Sequence, residues 1–382
     1  EIAQCLVGSE MCIRDSPCGK LFAFLRKGGV IMKQKQYKFW FCTGSQDLYG
    51  DECLSHVAEH SRQIVEALNK SEAIPYEVVW KPTLITNELI RKTFNEANMD
   101  ETCAGVITWM HTFSPAKSWI LGLQEYRKPL LHLHTQFNEE IPYDTIDMDF
   151  MNENQSAHGD REYGHIFSRL GMERKVVVGF WGDKAVQAKI GSWMRTGVGV
   201  IESSHVRVMR IADNMRNVAV TEGDKVEAQI KFGWEVDAYP VNEIAEAVAQ
   251  VSRGDIDALV EEYYDKYEIL LEGRDEKEFR EHAAVQAGIE IGFERFLTEK
   301  NYHAIVTHFG DLGSLKQLPG LAIQRLMEKG YGFGGEGDWK TAAMVRIMKI
   351  MTQEMKDAKG TSFMEDYTSV SYTHLRAHET LS

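Results

Sequence analysis

From Lys38 onward, short apolar runs alternate with amphipathic stretches. The runs Lys38–Thr43, Tyr76–Trp80, Gly105–Met110, Pro129–His134, Lys175–Phe180 and His205–Ile211 predict strands, because each is rich in Val, Ile, Phe or Trp and ends at turn or charge signals. Between them, Cys53–Leu68, Asn87–Glu96, Pro115–Tyr126 and Tyr163–Leu170 carry helical spacing. Such alternation predicts parallel sheets with helices on their faces, an α/β chain. After Tyr239 the pattern turns helical over Val241–Val251, Ile256–Tyr267 and Glu276–Leu297. A strand Ala304–His308 and a helix Leu318–Lys329 follow, with Gly330 where a C-cap glycine belongs. A division near residue 205 is expected, where one sheet's worth of strands has been used.

Composition narrows the class. The 382 residues are 43% apolar and 26% charged, a globular balance, with room for two or three domains. No apolar run reaches the roughly 18–20 residues of a membrane span. The formal charge of −14 argues against a nucleic-acid partner. Six cysteines in so long a chain do not make a disulfide framework, and Cys42, Cys53 and Cys103 read as core or incidental thiols. A cytoplasmic enzyme is the resulting expectation.

The two ends are related through the genetic code. Read with codons GGC TCG GAG ATG TGT ATA AGA GAC, Gly8–Asp15 has a reverse complement that translates as Val370–Ala377. The pairing runs outward to Ala3 and Ser382, thirteen consecutive antisense matches. One sequencing-library adapter read in opposite orientations gives this relation, so residues 1–31 and 369–382 are expected to be non-native. The natural part is then 32–368, beginning at Met32 and cut at its C-terminus. Within it we expect an N-terminal α/β domain at 32–205, a central α/β domain at 206–356, and the start of a third domain at 357–368.

The stretch Gly330–Lys340 (GYGFGGEGDWK) holds Glu336 alone among five glycines, ahead of Asp338, which can cap a helix carrying Trp339, Ala343, Ile347 and Met351 on one face. A phosphate-cradling loop fits poorly, since the Lys-Ser/Thr of a P-loop is missing. A carboxylate presented as metal ligand or acid/base, and a plain capping loop, both remain open. Glu365 lies between Met364 and Asp366 with Phe363 and Tyr367 nearby, which suits either a half-buried carboxylate or a surface turn. His132 and His134 face one side of a strand, as metal ligands or as a strand-end polar cluster. Gln46 and Tyr49, in GSQDLYG, close the first strand where parallel α/β sheets keep their ligand crevice, either to hydrogen-bond a polar small molecule or simply as a turn into the next helix. Asp147 and Asp149 are too short a pattern for a cation loop.

Taken together, WFCTGSQDLYG, HTFSPAKSW, LHTQFN, IDMDFMNENQSAHG, GSWMR, DNMR, GDKVEAQIKFG, LKQLPGLAIQRLMEKGYGFGGEGDWKTAA and GTSFMEDYT, in this order, resemble the L-arabinose isomerase family over essentially all of 32–368. The resemblance implies two doubly wound, Rossmann-like parallel-sheet domains of the fucose/arabinose isomerase type, with the C-terminal β-rich domain almost entirely missing. It implies a homo-oligomer, hexameric when intact, and one divalent ion per subunit, usually Mn²⁺. Glu336 and Glu365 match the two glutamates of the family's metal site, as ligands and acid/base pair. Gln46, Leu48, Tyr49, Gln155, His158 and Met215 match the substrate-facing set, which a neighbouring subunit supplies. Gly310 stands where an acidic residue is expected. The family's two histidine ligands have no counterpart in 32–368, and His374 and His378 fall in the adapter tail. The chain is therefore expected to lack half its ligand set and to be inactive.

The implied reaction, in carbohydrate metabolism, interconverts L-arabinose and L-ribulose. An enediol route through a glutamate pair and a metal-assisted hydride shift both remain open. The rival reading is a non-catalytic sugar-binding α/β protein. No nucleic acid or membrane partner is expected.

Overall fold

In the computed structural model, the described residues are 36–271, 273–353, 355 and 360–363. They form two compact units, one built on Gln34–Glu202 and one on Ser203–Lys349.

In the first unit, β1 (Lys38–Gly44), α1 (Gly50–Lys70), β2 (Glu77–Trp80), α2 (Asn87–Met99) and β3 (Cys103–Met110) are followed by α3 (Ile120–Glu125) and β4 (Leu130–His134). Then come α4 (Met148–Glu153), α5 (Ser156–Leu170), β5 (Lys175–Val178) and α6 (Lys184–Ser203). The strands pair in the order β2-β1-β3-β4-β5, all parallel. Alternate residues of each strand serve opposite cores. Phe39, Phe41, Ile107 and Trp109 pack with Ile64 and Leu68 of α1, while Trp40, Cys42, Val106 and Met110 pack with Ile90 and Phe94 of α2. The inner strands β1, β3 and β4 are buried on both faces and read as continuous apolar sequence, which is why they were legible.

In the second unit, β6 (Arg207–Ile211), α7 (Lys225–Phe232), β7 (Glu235–Tyr239), α8 (Val241–Ala249), α9 (Arg253–Lys266) and α10 (Glu276–Glu299) come first. They are followed by β8 (Ala304–Val306), α11 (Gly320–Glu328), β9 (Gly332–Gly334) and α12 (Trp339–Thr352). The order β7-β6-β8-β9 is again wholly parallel. Met209, Ile211, Ile305 and Phe333 pack against Ile244, Phe293 and Leu326 of the helices. At the end of α11, Gly330 (φ +105°) takes the left-handed position, with its N–H on the Met327 carbonyl and the Tyr331 N–H on that of Leu326. That is the Schellman arrangement, and it bears out the C-cap reading of Gly330.

The α/β class and its parallel sheets are as the sequence implies. Elements absent from that reading are α4, α6, α7, β7 and β9. Asp147 proves to be the N-cap of α4, accepting from the Phe150 N–H at 2.8 Å. Among the described residues no helix is long and apolar enough to cross a membrane.

Candidate functional site

In the first sheet the crossovers change direction between β1 and β3, so the crevice outside their carboxyl ends is the site that open parallel sheets offer to ligands. Buried Ser45, after β1, and Thr112, after β3, join there through their hydroxyls at 2.8 Å. His111, also just past β3, is fully buried and stacks on Trp109, with ring centroids 4.3 Å apart. His60, on α1, stacks on Phe137 at 3.6 Å and puts its Nδ1 2.8 Å from His111 Nε2.

Glu153, the last residue of α4, completes the group. Its Oε1 is 3.5 Å from His60 Nδ1, and its Oε2 is 3.2 Å from His56 Nδ1. One ligand atom from each of His60, His111 and Glu153 lies within 4.8 Å of the others. Burial lowers the affinity of both imidazoles for a proton, and His111 is pushed down to about 3, with His60 adding to the effect. Both rings are therefore neutral at pH 7, the form that binds metals, and the cluster is suited to a divalent ion.

This corrects the expectation of a chain left without a histidine-bearing ligand set, and inactivity no longer follows from that count. Two imidazoles and a carboxylate already meet among the described residues. Local spacing did not announce them, because His60 and His111 are 51 residues apart and only the fold joins them. The one available signal was HVAEH, which sets His56 and His60 one helical turn apart on α1.

Of the substrate-facing candidates, five lie in this unit. Gln46 precedes a single helical turn, Asp47–Tyr49, on which Leu48 is 81% exposed. The Tyr49 hydroxyl reaches Gln155 Oε1 at 3.5 Å. His158, in the first turn of α5, sets its ring edge-on to Phe113 at 4.7 Å. Tyr49, Gln155 and His158 are thus carried by elements that flank the imidazole cluster. His132 and His134 do share a side, but they converge on buried Asp160, Nε2 to carboxylate at 2.5 and 3.1 Å, as a polar cluster at the strand end. The free thiols of Cys42 and Cys103 are buried, and that of Cys53 is half-buried.

Glu336 and Met215 stand in the second unit, beyond the carboxyl ends of β9 and β6. Glu336 has φ +56°, the left-handed region that non-glycine residues avoid, and Ala212 after β6 shares it at +63°. Such strain persists only where surroundings impose it, and it concentrates at functional sites. Here Met215 N–H bonds to the Glu336 carbonyl and Gly337 N–H to the Thr307 carbonyl, at 3.0 and 3.1 Å. Gly334 has no room for a side chain, since a Cβ would lie 2.2 Å from the Asp338 carbonyl oxygen. Asp338 caps α12 as the sequence suggested, its Oδ1 accepting from Lys340 and Thr341 N–H at 3.1 and 3.3 Å. Among the described residues the half-buried Glu336 carboxylate makes no hydrogen bond or ion pair. It is a free hard-oxygen donor. Glu365 lies outside the described residues.

Family comparisons agree with this two-unit layout. A model of the L-arabinose isomerase N-terminal domain matches residues 33–205, and one of the L-arabinose isomerase central domain matches 207–354. The chain is 57% identical over 338 residues to the L-arabinose isomerase of Geobacillus thermodenitrificans, covering 88% of this chain and 67% of that protein. Those of Geobacillus stearothermophilus and Bacillus subtilis are 57% and 53% identical over the same shares. The chain spans about two thirds of the length of these relatives. The chain belongs to the L-arabinose isomerase family.

Proposed function

We propose that this chain interconverts L-arabinose and L-ribulose, with Mn²⁺ as its divalent ion and Glu336 and Glu365 as ligands and acid/base pair. The observation that carries the reading is Glu336, a carboxylate without a partner among the described residues, on strained backbone at the carboxyl edge of the second sheet. A hard oxygen donor of this kind fits Mn²⁺.

The ion, when bound, supplies Lewis acidity that polarises the sugar carbonyl. The remaining work is proton movement by the chain. One carboxylate takes the proton from C2 of the aldose, exchanges with water while it holds it, and delivers a proton to C1. The other moves the hydroxyl proton from O2 to O1, so that the carbonyl passes from C1 to C2 and the atoms balance. Gln46, Leu48, Tyr49, Gln155 and His158 are the groups that one subunit's first unit offers to the sugar site of a neighbouring subunit, and Met215 belongs to the same substrate-facing set. A homo-oligomer, hexameric when intact, and domains at 32–205 and 206–356 belong to the same proposal. The thirteen-residue antisense relation supports translated adapter sequence at both ends, followed by upstream translation as far as residue 31 and confined to 369–382 at the other end, which resequencing the source DNA tests.

L-arabinose deuterated at C2 tests the route. Ketose formation that rises with added Mn²⁺ and loses deuterium to water supports the proposal. Ketose formed with the deuterium fully retained at C1 refutes the proton route, and formation indifferent to metal refutes the ion.

A further inference from the structure

We propose that His60, His111 and Glu153 hold a second divalent cation, of the zinc class, at the carboxyl edge of the first sheet, apart from the ion assigned to Glu336. This goes beyond the isomerase reading and does not depend on it. Ligands 2.0–2.2 Å from a tetrahedral ion stand roughly 3.3–3.6 Å from one another. Of the separations here, the 3.5 Å from His60 to Glu153 falls within that spacing, and the 2.8 Å between the two imidazole nitrogens falls short of it. Small shifts of three side chains complete it.

The donor set selects the metal. Two imidazoles and one carboxylate suit a borderline ion such as Zn²⁺ or Co²⁺, whereas Mn²⁺ favours oxygen-rich sites. The rings are already oriented, His60 by Phe137 and His111 by Trp109, so little side-chain freedom is lost on binding. His56 holds the second oxygen of Glu153 at 3.2 Å, the kind of outer contact that steadies a ligating carboxylate. Three protein ligands leave one position for water. The ion ties α1, the segment after β3 and α4 together. The same elements border Tyr49 and Gln155, so the ion orders that wall of the crevice.

The test uses the full chain freed of metal by chelation and titrated with Co²⁺ and then Zn²⁺. It follows the visible Co²⁺ absorption and the melting temperature. The proposal expects a visible band from one Co²⁺ per chain, displaced by Zn²⁺, and a rise in melting temperature as the bound state is favoured. Glu153→Gln and His60→Gln, both at partly exposed positions, are expected to weaken Co²⁺ binding by about 100-fold or more while far-UV circular dichroism is unchanged. Glu336→Gln is expected to keep the Co²⁺ band. Absence of the band in the parent chain, or its survival in Glu153→Gln and His60→Gln, overturns the proposal. Loss of the band in a folded Glu336→Gln chain overturns it too, because the ion then belongs to Glu336. A chain that keeps the band and makes no ketose refutes the isomerase reading alone.

Discussion

The backbone N–H of Met215 donates to the carbonyl oxygen of Glu336 at 3.0 Å. Two residues singled out separately in the sequence thus share one main-chain bond, which ties the segment after β6 to the loop after β9. The Asn214 side chain adds to the tie by donating to the Gly337 carbonyl at 3.3 Å. The left-handed conformation of Glu336 is imposed by these neighbours.

Gly337→Ala tests that constraint. Gly337 has φ +84°, and a Cβ there would lie 2.6 Å from the Asn214 Cα, which is backbone and cannot turn aside. Strain of this kind costs roughly 1–3 kcal/mol, and its relief displaces Glu336. The urea midpoint is expected to fall and ketose formation to drop with it. An unchanged midpoint contradicts the constraint.

Glu290 is the second position to test. It is 0% exposed on α10, yet it accepts from Tyr263 and Arg325 at 2.7 Å and from Lys329 at 2.9 Å. Arg325 continues to Glu262 at 2.6 Å, so α9, α10 and α11 meet in one charged network. Removing the carboxylate takes from Arg325 and Lys329 the buried partner they share and leaves each only its outer one, Glu262 and Glu294, at a cost of up to about 3–5 kcal/mol. Glu290→Ala is expected to lower the urea midpoint far more than Glu262→Ala, whose side chain is half exposed. Equal effects contradict the network.

How much of this was legible in the sequence depends on where each side chain's partners lie. The inner strands announced themselves because both faces are buried, as in Phe39–Cys42. Edge strand β7 (EVDAY) carries acids and keeps part of its surface in solvent, so no apolar run marks it. In β9 (GFG) the glycines leave only Phe333 to signal a strand. Helix α6 buries residues around most of its circumference, including Gly191, Gly197 and Gly199, which erases the one-sided stripe. Glu336 was visible because its neighbours are glycines. His60, His111 and Glu153 were not, because only tertiary structure makes them neighbours.

A pH dependence follows from Asp160 and His132. Burial pushes the Asp160 carboxyl up from 3.8 to about 8, against the pull of His134 and Arg174. Burial, with Arg174 adding to it, pushes His132 down from 6.5 to about 3. The folded pair therefore keeps one proton across that span, while the unfolded groups release theirs near 3.8 and 6.5. Above pH 6.5 the folded chain holds the extra proton, so this contribution falls as pH rises toward 8. Below pH 3.8 the unfolded chain holds more protons, and the contribution falls as pH drops toward 3. In Asp160→Asn the alkaline part of the decline is expected to vanish, read as urea midpoints at pH 6.5 and 8. A decline of the same size in both chains contradicts the assignment.

The most direct measurement is the Mn²⁺-dependent rate of L-ribulose formation from L-arabinose by the parent chain and by Glu336→Gln, with folding checked by circular dichroism. Loss of a group that works as both ligand and acid/base is expected to cost about 100-fold or more. A Mn²⁺-stimulated rate in the parent that falls by that factor in a folded Glu336→Gln chain is the predicted result. Equal rates in the two chains, or no ketose from the parent at saturating Mn²⁺, would contradict the account.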